Sequence, residues 1–157
     1  MENILDSKKL FIMAGPCVIE SEETTFQIAQ KIKSITAELD IQFIFKASYK
    51  KQNRTKLNSF TGPGLEEGIK ILKKIKNELN IPITTDVHSA EEVKKVEKVI
   101  DIIQIPAFLC RQTDILIAAA KTKKYVNVKK GQFLSGSACK FIIEKIKSAG
   151  NNKVIIT

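Results

Sequence analysis

Six short apolar runs alternate with longer stretches of helical spacing along this 157-residue chain, and that alternation limits the fold more than any single motif does. The runs are LFIMA from Leu10, QFIFKA from Gln42, IPITTD from Ile81, IIQI from Ile102, VNVKK from Val126 and VIIT from Val154. Short apolar runs bounded by turn residues read as strands, several of them buried on both faces. The stretches between them read as helices. One is predicted from Ser21 to about Glu38, with Glu22 and Glu23 in the first turn, where carboxylates complement the helix dipole. Its apolar residues Phe26, Ile28, Ala29, Ile32 and Ile35 fall mostly on one side. A second covers LEEGIKILKKIKNEL, with Leu65, Ile69, Leu72, Ile75 and Leu79 at helical spacing, stopped by Asn80 and Pro82. Ser89 and Glu92 form a capping-box pattern opening a third, through about Lys98. Thr113 or Asp114 is placed to cap a fourth, ILIAAAKT, and ACKFIIEKIKSAG makes a fifth with Gly150 at its C-cap.

Strands alternating with helices in units of about 25 to 30 residues build a parallel α/β fold. That unit length suits a (β/α)8 TIM barrel, which needs about 250 residues to close. The expectation is therefore one incomplete α/β barrel domain over residues 1–157, truncated after about the sixth strand. A barrel cut there leaves strands one and six as sheet edges and puts apolar faces in water. Such a chain alone is expected to aggregate or order poorly, and to be inactive.

Almost every strand ends in something chemically useful. Cys17 follows the first, Lys46 ends the second, Asp86 and His88 end the third, and Lys129 and Lys130 end the fifth. The fourth runs into Pro106, which cannot donate to a sheet ladder, so a loop must begin there. That loop carries Ala107, Phe108, Cys110, Arg111 and Gln112 before the next helix. Loops at the carboxyl ends of parallel strands converge on one mouth in a barrel, which would collect all these groups. The polar stretch SYKKQNRTKLNSFTGPG is too long for an ordinary connection and reads as functional or disordered. Lys46, Lys51, Arg54, Arg111, Lys129 and Lys130 are cations on strand ends and loops, with Asn53, Gln104 and Gln112 as neutral donors. Only Asp86 and Asp114 are nearby acids. This set suits a small polyanion, arginine gripping phosphate in a bidentate way and lysine acting as a point charge. The substrates should be phosphorylated. Neither a P-loop nor a dinucleotide fingerprint is present, so nucleotide chemistry lacks support.

Composition narrows the class further. With 43% hydrophobic residues the chain can bury a core, and no run of about 18 uncharged apolar residues offers a membrane span. The first residues, MENILDSKKLFIMAG, contain too short an apolar segment for a secretory signal, so the cytoplasm is the expected location. Cys17, Cys110 and Cys139 are an odd number at wide spacing, which argues against a disulfide framework or a zinc knuckle. The net charge of +9 raises the class of basic nucleic-acid binders. Against it, the lysines cluster on solvated helix faces with glutamates interleaved, and aromatics total 6% without a tryptophan to stack on bases.

Taken together, AGPCVIES, FKASYKKQNRT, SFTGPGLEEG, TTDVH, QIPAFLCRQTD, AAAKT and NVKKGQF resemble the 3-deoxy-D-manno-octulosonate 8-phosphate synthases, also called 2-dehydro-3-deoxyphosphooctonate aldolases. The resemblance covers nearly the whole chain. It implies a homotetramer of (β/α)8 barrels that condenses phosphoenolpyruvate with arabinose 5-phosphate, releasing phosphate, on the route to lipopolysaccharide. The related DAHP synthases of aromatic biosynthesis share fold and chemistry but match these motifs less well.

Roles follow from the resemblance residue by residue. Lys46, Lys51 and Lys129 would hold the phosphate and carboxylate of phosphoenolpyruvate, and Gln104, Pro106, Ala107 and Phe108 would shape its pocket. Asn53, Arg54 and Thr55 match the segment that takes arabinose 5-phosphate. Asp86 and His88 would line the pocket. Cysteine at position 17 marks the metal-dependent class, implying a divalent iron, zinc or manganese ion. The ion and its water would polarise the sugar aldehyde while C3 of phosphoenolpyruvate attacks it. The chain departs from the family at Lys50, Thr61, Ser89 and the SGSA segment after Leu134. The family's other metal ligands and an ERG segment would follow Thr157. Three readings are thus carried forward: a truncated synthase polypeptide, a non-catalytic remnant or subunit, and a basic nucleic-acid binder.

Overall fold

The short apolar runs are the strands of the fold, and the stretches between them are its helices. The computed structural model describes residues 4–6 and 8–157. These form two compact units, one up to Thr85 and one from Asp86 onward. In order along the chain the described residues make β1 (Phe11–Ala14), α1 (Glu22–Glu38), β2 (Gln42–Lys46), α2 (Leu65–Leu79) and β3 (Ile83–Asp86). There follow α3 (Ala90–Val96), β4 (Ile102–Ile105), a 3-10 turn (Ala107–Leu109), α4 (Thr113–Lys121), β5 (Tyr125–Val128), α5 (Cys139–Ser148) and β6 (Val154–Ile156). The fold class is α/β, with the strand–helix repeat of a (β/α) barrel carried as far as a sixth strand.

In the first unit β2 pairs in parallel with β1, Phe11 opposite Gln42 through Ala14 opposite Phe45, and with β3, Phe45 opposite Ile83 and Lys46 opposite Thr84. In the second unit β5 pairs in parallel with β4, Gln104 opposite Asn127, and with β6, Asn127 opposite Ile155. Burial differs from strand to strand. All four residues of β3 and of β4 are buried, whereas β1 and β6 contain no fully buried residue and Ile12 is 41% exposed.

Local chemistry explains the helix boundaries. The Ser21 hydroxyl accepts the Thr24 N–H, an N-cap of the kind that contributes about 1 kcal/mol. On α2 the stripe Ile71, Leu72, Ile75 and Leu79 is buried, and Asn80 ends the helix in the left-handed conformation at φ 48°. Asparagine tolerates that conformation better than most residues. The C-cap of α5 is Ala149 rather than Gly150, which follows it at φ 79° and turns the chain away.

Three further expectations are corrected. The buried face of α1 is Thr25, Ala29 and Thr36, and Ile35 is 44% exposed. Each threonine hydroxyl donates to a carbonyl one turn back, Ser21 O and Ile32 O, so small residues with internally satisfied hydroxyls make the tight face. The cap of α4 is Gln112, in extended conformation, and Thr113 lies inside the helix. Its hydroxyl instead accepts Lys145 Nζ at 2.7 Å, which ties α4 to α5. At α3 the Ser89 hydroxyl accepts the Glu92 N–H as a capping box requires, but the Glu92 carboxylate reaches the His88 N–H, one residue before the cap.

Candidate active site

The first unit supplies Cys17, Lys46, Lys51, Asn53, Arg54 and Thr55. β1 ends at Gly15, where a Cβ would lie 2.1 Å from the Lys46 carbonyl oxygen, so only glycine lets the two strand ends approach this closely. Lys46 itself is half-buried, and its Nζ donates to the Ser48 hydroxyl at 2.7 Å. Ser48 is fully buried, bridges Val18 in parallel and accepts the Ile19 N–H, so the lysine head is held by the extension of β2.

The long polar loop that follows is ordered by an anchor that sequence reasoning passed over. Tyr49 is fully buried. Its carbonyl accepts the Gly64 N–H, and a Cβ on Gly68 of α2 would sit 2.2 Å from the Tyr49 Cβ. The tyrosine thus packs directly on the helix backbone. Beyond it, the Lys51 N–H donates to Thr61 O at 2.7 Å, and Arg54 Nε donates to Phe60 O at 3.0 Å. Asn53, Arg54 and Thr55 remain exposed on this closed loop. A large aromatic between Ser and Lys, three residues past a strand, was the signal available in the sequence.

The second unit supplies Asp86, His88, Gln104, Pro106, Ala107, Phe108 and Lys129. Alternation brings Asp86 and His88 together as expected: Nε2 lies 3.5 Å from Asp86 Oδ2, with the two side chains 9% and 7% exposed. On the other side of the ring Nδ1 lies 3.3 Å from Glu92 Oε2, in ion-pair rather than hydrogen-bond geometry. The same oxygen accepts the His88 backbone N–H at 2.6 Å. The imidazole, the only one in the chain, is therefore set between carboxylates from the strand end and from α3.

Gln104 is 7% exposed on β4, and its Oε1 accepts Asn127 Nδ2 at 3.2 Å. Pro106 ends the strand in extended conformation, and the 3-10 turn closes with Leu109 N–H on the Pro106 carbonyl. Phe108 projects from this turn, 65% exposed. The Lys129 N–H continues the ladder onto the Ile105 carbonyl, leaving its side chain exposed, whereas Lys130 folds back onto the Gly131 and Leu134 carbonyls. Lys130 therefore pins the next loop. Cys110 and Cys139 are buried free thiols.

Each unit thus presents cations and neutral donors at the carboxyl ends of its strands, a chemistry for anions. A metal centre is a different matter. Cys17 is an exposed free thiol, and among the described residues no group of three His, Cys, Asp or Glu side chains gathers around a common point. A catalytic divalent ion needs about three protein ligands, so the described residues do not fit one.

Comparison with known proteins agrees with the strand-end motifs. The profile of the DAHP synthetase I family matches residues 3–157. The chain is 52% identical over 149 residues to a 2-dehydro-3-deoxyphosphooctonate aldolase of Koribacter versatilis (strain Ellin345), covering 95% of this chain and 54% of that protein. It is 52% identical over 148 residues to the protein of the same name from Desulfatibacillum aliphaticivorans, covering 94% of this chain and 54% of the relative. A third of that name, from Campylobacter jejuni subsp. doylei, is 52% identical over 139 residues, 88% of this chain and 52% of its own length. The chain spans about half the length of the curated relatives it matches. Strand order, strand-end chemistry and a family match along nearly the entire chain lead to one conclusion: the chain belongs to the DAHP synthetase I family.

Proposed function

We propose that this chain carries substrate-binding residues of an enzyme that condenses phosphoenolpyruvate with D-arabinose 5-phosphate, giving 3-deoxy-D-manno-octulosonate 8-phosphate and phosphate. The observation that carries the reading is 52% identity, over 95% of the chain, to a protein named for that product. The match includes the segments bearing the cations. Relatives of this name, rather than DAHP synthases, make the octulosonate the better reading of the two.

In this reading Lys46, Lys51 and Lys129 neutralise the phosphate and carboxylate of phosphoenolpyruvate, and Gln104 with Pro106, Ala107 and Phe108 walls its pocket. Asn53, Arg54 and Thr55 take the sugar phosphate from the closed loop after Tyr49. C3 of phosphoenolpyruvate attacks the sugar aldehyde, water adds at C2, and the C2–O bond to phosphate is lost as phosphate leaves. Lysine point charges lower the barrier by offsetting charge on the phosphoryl oxygens. Asp86 and His88 line the same pocket. A divalent ion at Cys17 would need ligands beyond those described, and no step is derived through it. Assembly as a tetramer and residence in the cytoplasm belong to the same proposal. Among the described residues no helix is long and apolar enough to cross a membrane.

Calorimetric titration with phosphoenolpyruvate tests the reading. Saturable binding that is lost in Lys46→Ala is expected. A folded chain that gives no saturable heat, or binds as tightly without the Lys46 amine, overturns it.

A further inference from the structure

Gln104, Asn127 and Thr157 form a row of side chains on β4, on β5 and just past β6. Gln104 and Asn127 are register partners on β4 and β5, so their side chains emerge on the same face. They are 7% and 1% exposed, in a layer where an unsatisfied amide is costly. Asn127 Nδ2 donates to Gln104 Oε1 at 3.2 Å, and the Thr157 hydroxyl donates to Asn127 Oδ1 at 3.3 Å. Thr157 is itself fixed, its N–H on the Val128 carbonyl and its carbonyl on the Lys130 N–H.

Such a row has a direction. A planar amide carries its acceptor on one side and its donor on the other, so the group on one flank decides which end faces the opposite flank. With hydroxyl to Asn127 oxygen and Asn127 nitrogen to Gln104 oxygen, the Gln104 NH2 is left on the side away from Asn127. With every bond reversed, the Gln104 carbonyl would face that way. Only the first arrangement offers donors to an anion, and it does so two residues before Pro106 and beside the strand that leads into Lys129.

We propose that Asn127 is a positioning residue: it fixes the amide of Gln104 with the N–H pair presented to the anionic substrate. This rests on the reading of Gln104 as a phosphoenolpyruvate contact. Asn127→Asp keeps the shape of the side chain but can only accept, so it turns the Gln104 NH2 inward and the carbonyl outward.

Two measurements on the full chain test the inference. In amide-exchange NMR, the protected side-chain NH2 should be that of Asn127, and it should lose protection in Gln104→Met. Protection of the Gln104 NH2 instead, with the Asn127 NH2 exchanging freely, overturns the proposal. In calorimetric titrations with phosphoenolpyruvate, Asn127→Asp should weaken binding by a factor at least about fivefold larger in the native background than in the Gln104→Met background. The double-variant comparison removes the effect of the added charge, which acts in both backgrounds. An equal loss in both overturns the proposal. A folded wild-type chain that binds no phosphoenolpyruvate, yet protects the Asn127 NH2, leaves the row in place and overturns the substrate reading instead.

Discussion

The two units present their polar groups to a ligand in different ways. In the first, the chemistry rides on a loop: Asn53, Arg54 and Thr55 are exposed, and order comes from Tyr49 buried beneath them and from backbone bonds such as Lys51 to Thr61. In the second, the chemistry sits on strand ends, where Asp86, His88 and Gln104 are nearly buried and held by side chains, Glu92 and Asn127. The difference is one of leverage. The loop shares one packed aromatic anchor beside its backbone bonds, so loss of that residue loosens all of its groups together. The strand-end groups depend on pairwise bonds, so loss of one partner disturbs one group.

The most severe way to break the comparison is Tyr49→Ala, which empties the anchor of the first unit. Deleting a buried aromatic ring costs about 3–5 kcal/mol, and urea denaturation should show a loss of that size. A loss under about 1 kcal/mol would show that the loop has another anchor. Gly68→Ala tests the same contact from the helix side. Its Cβ would meet Tyr49 Cβ at 2.2 Å, and overpacking of this kind costs about 1–3 kcal/mol despite the better helix propensity of alanine. A stabilised variant would refute the close packing of tyrosine on α2.

The second unit should respond more locally. Ser89→Ala removes the N-cap bond of α3 and should cost about 1 kcal/mol in thermal or urea melts. The Glu91 carboxyl, in the same first turn, is held below the usual carboxylate range by its own backbone N–H and by the Ser89 hydroxyl. A lowered carboxylate adds stability that is present above its unfolded pKa and lost as pH falls through the folded one. The Ser89→Ala deficit should therefore shrink at the acid end of a pH series; a deficit that grows there would contradict the assignment. Smallest in stability is Arg54→Ala. An exposed side chain of this sort changes stability within about 0.5 kcal/mol, while affinity for arabinose 5-phosphate should fall at least tenfold if the loop carries the sugar phosphate. Unchanged affinity would strip the loop of that role.

Along the chain, sequence alone determined the kind and order of the elements, because hydrophobic period, caps and prolines act within a few residues. Ser21 opens α1, Asn80 ends α2 and Pro106 ends β4, each as its side-chain chemistry requires. The strand-end chemistry was equally legible, since a polar residue closing a short apolar run stands out. The identity of the partners was not. Asn127 reads as a lone polar residue inside VNV until register sets it opposite Gln104, 23 residues earlier. Glu92 reads as half of a capping box until α3 docks and its carboxylate settles on His88. Tyr49 reads as part of a polar loop until the bare backbone at Gly68 makes room for it. Ile35 reads as core until the tight face of α1 turns out to be threonine and alanine. Tertiary structure alone decided these, because a side chain's partner depends on strand register and helix approach, which no local pattern encodes.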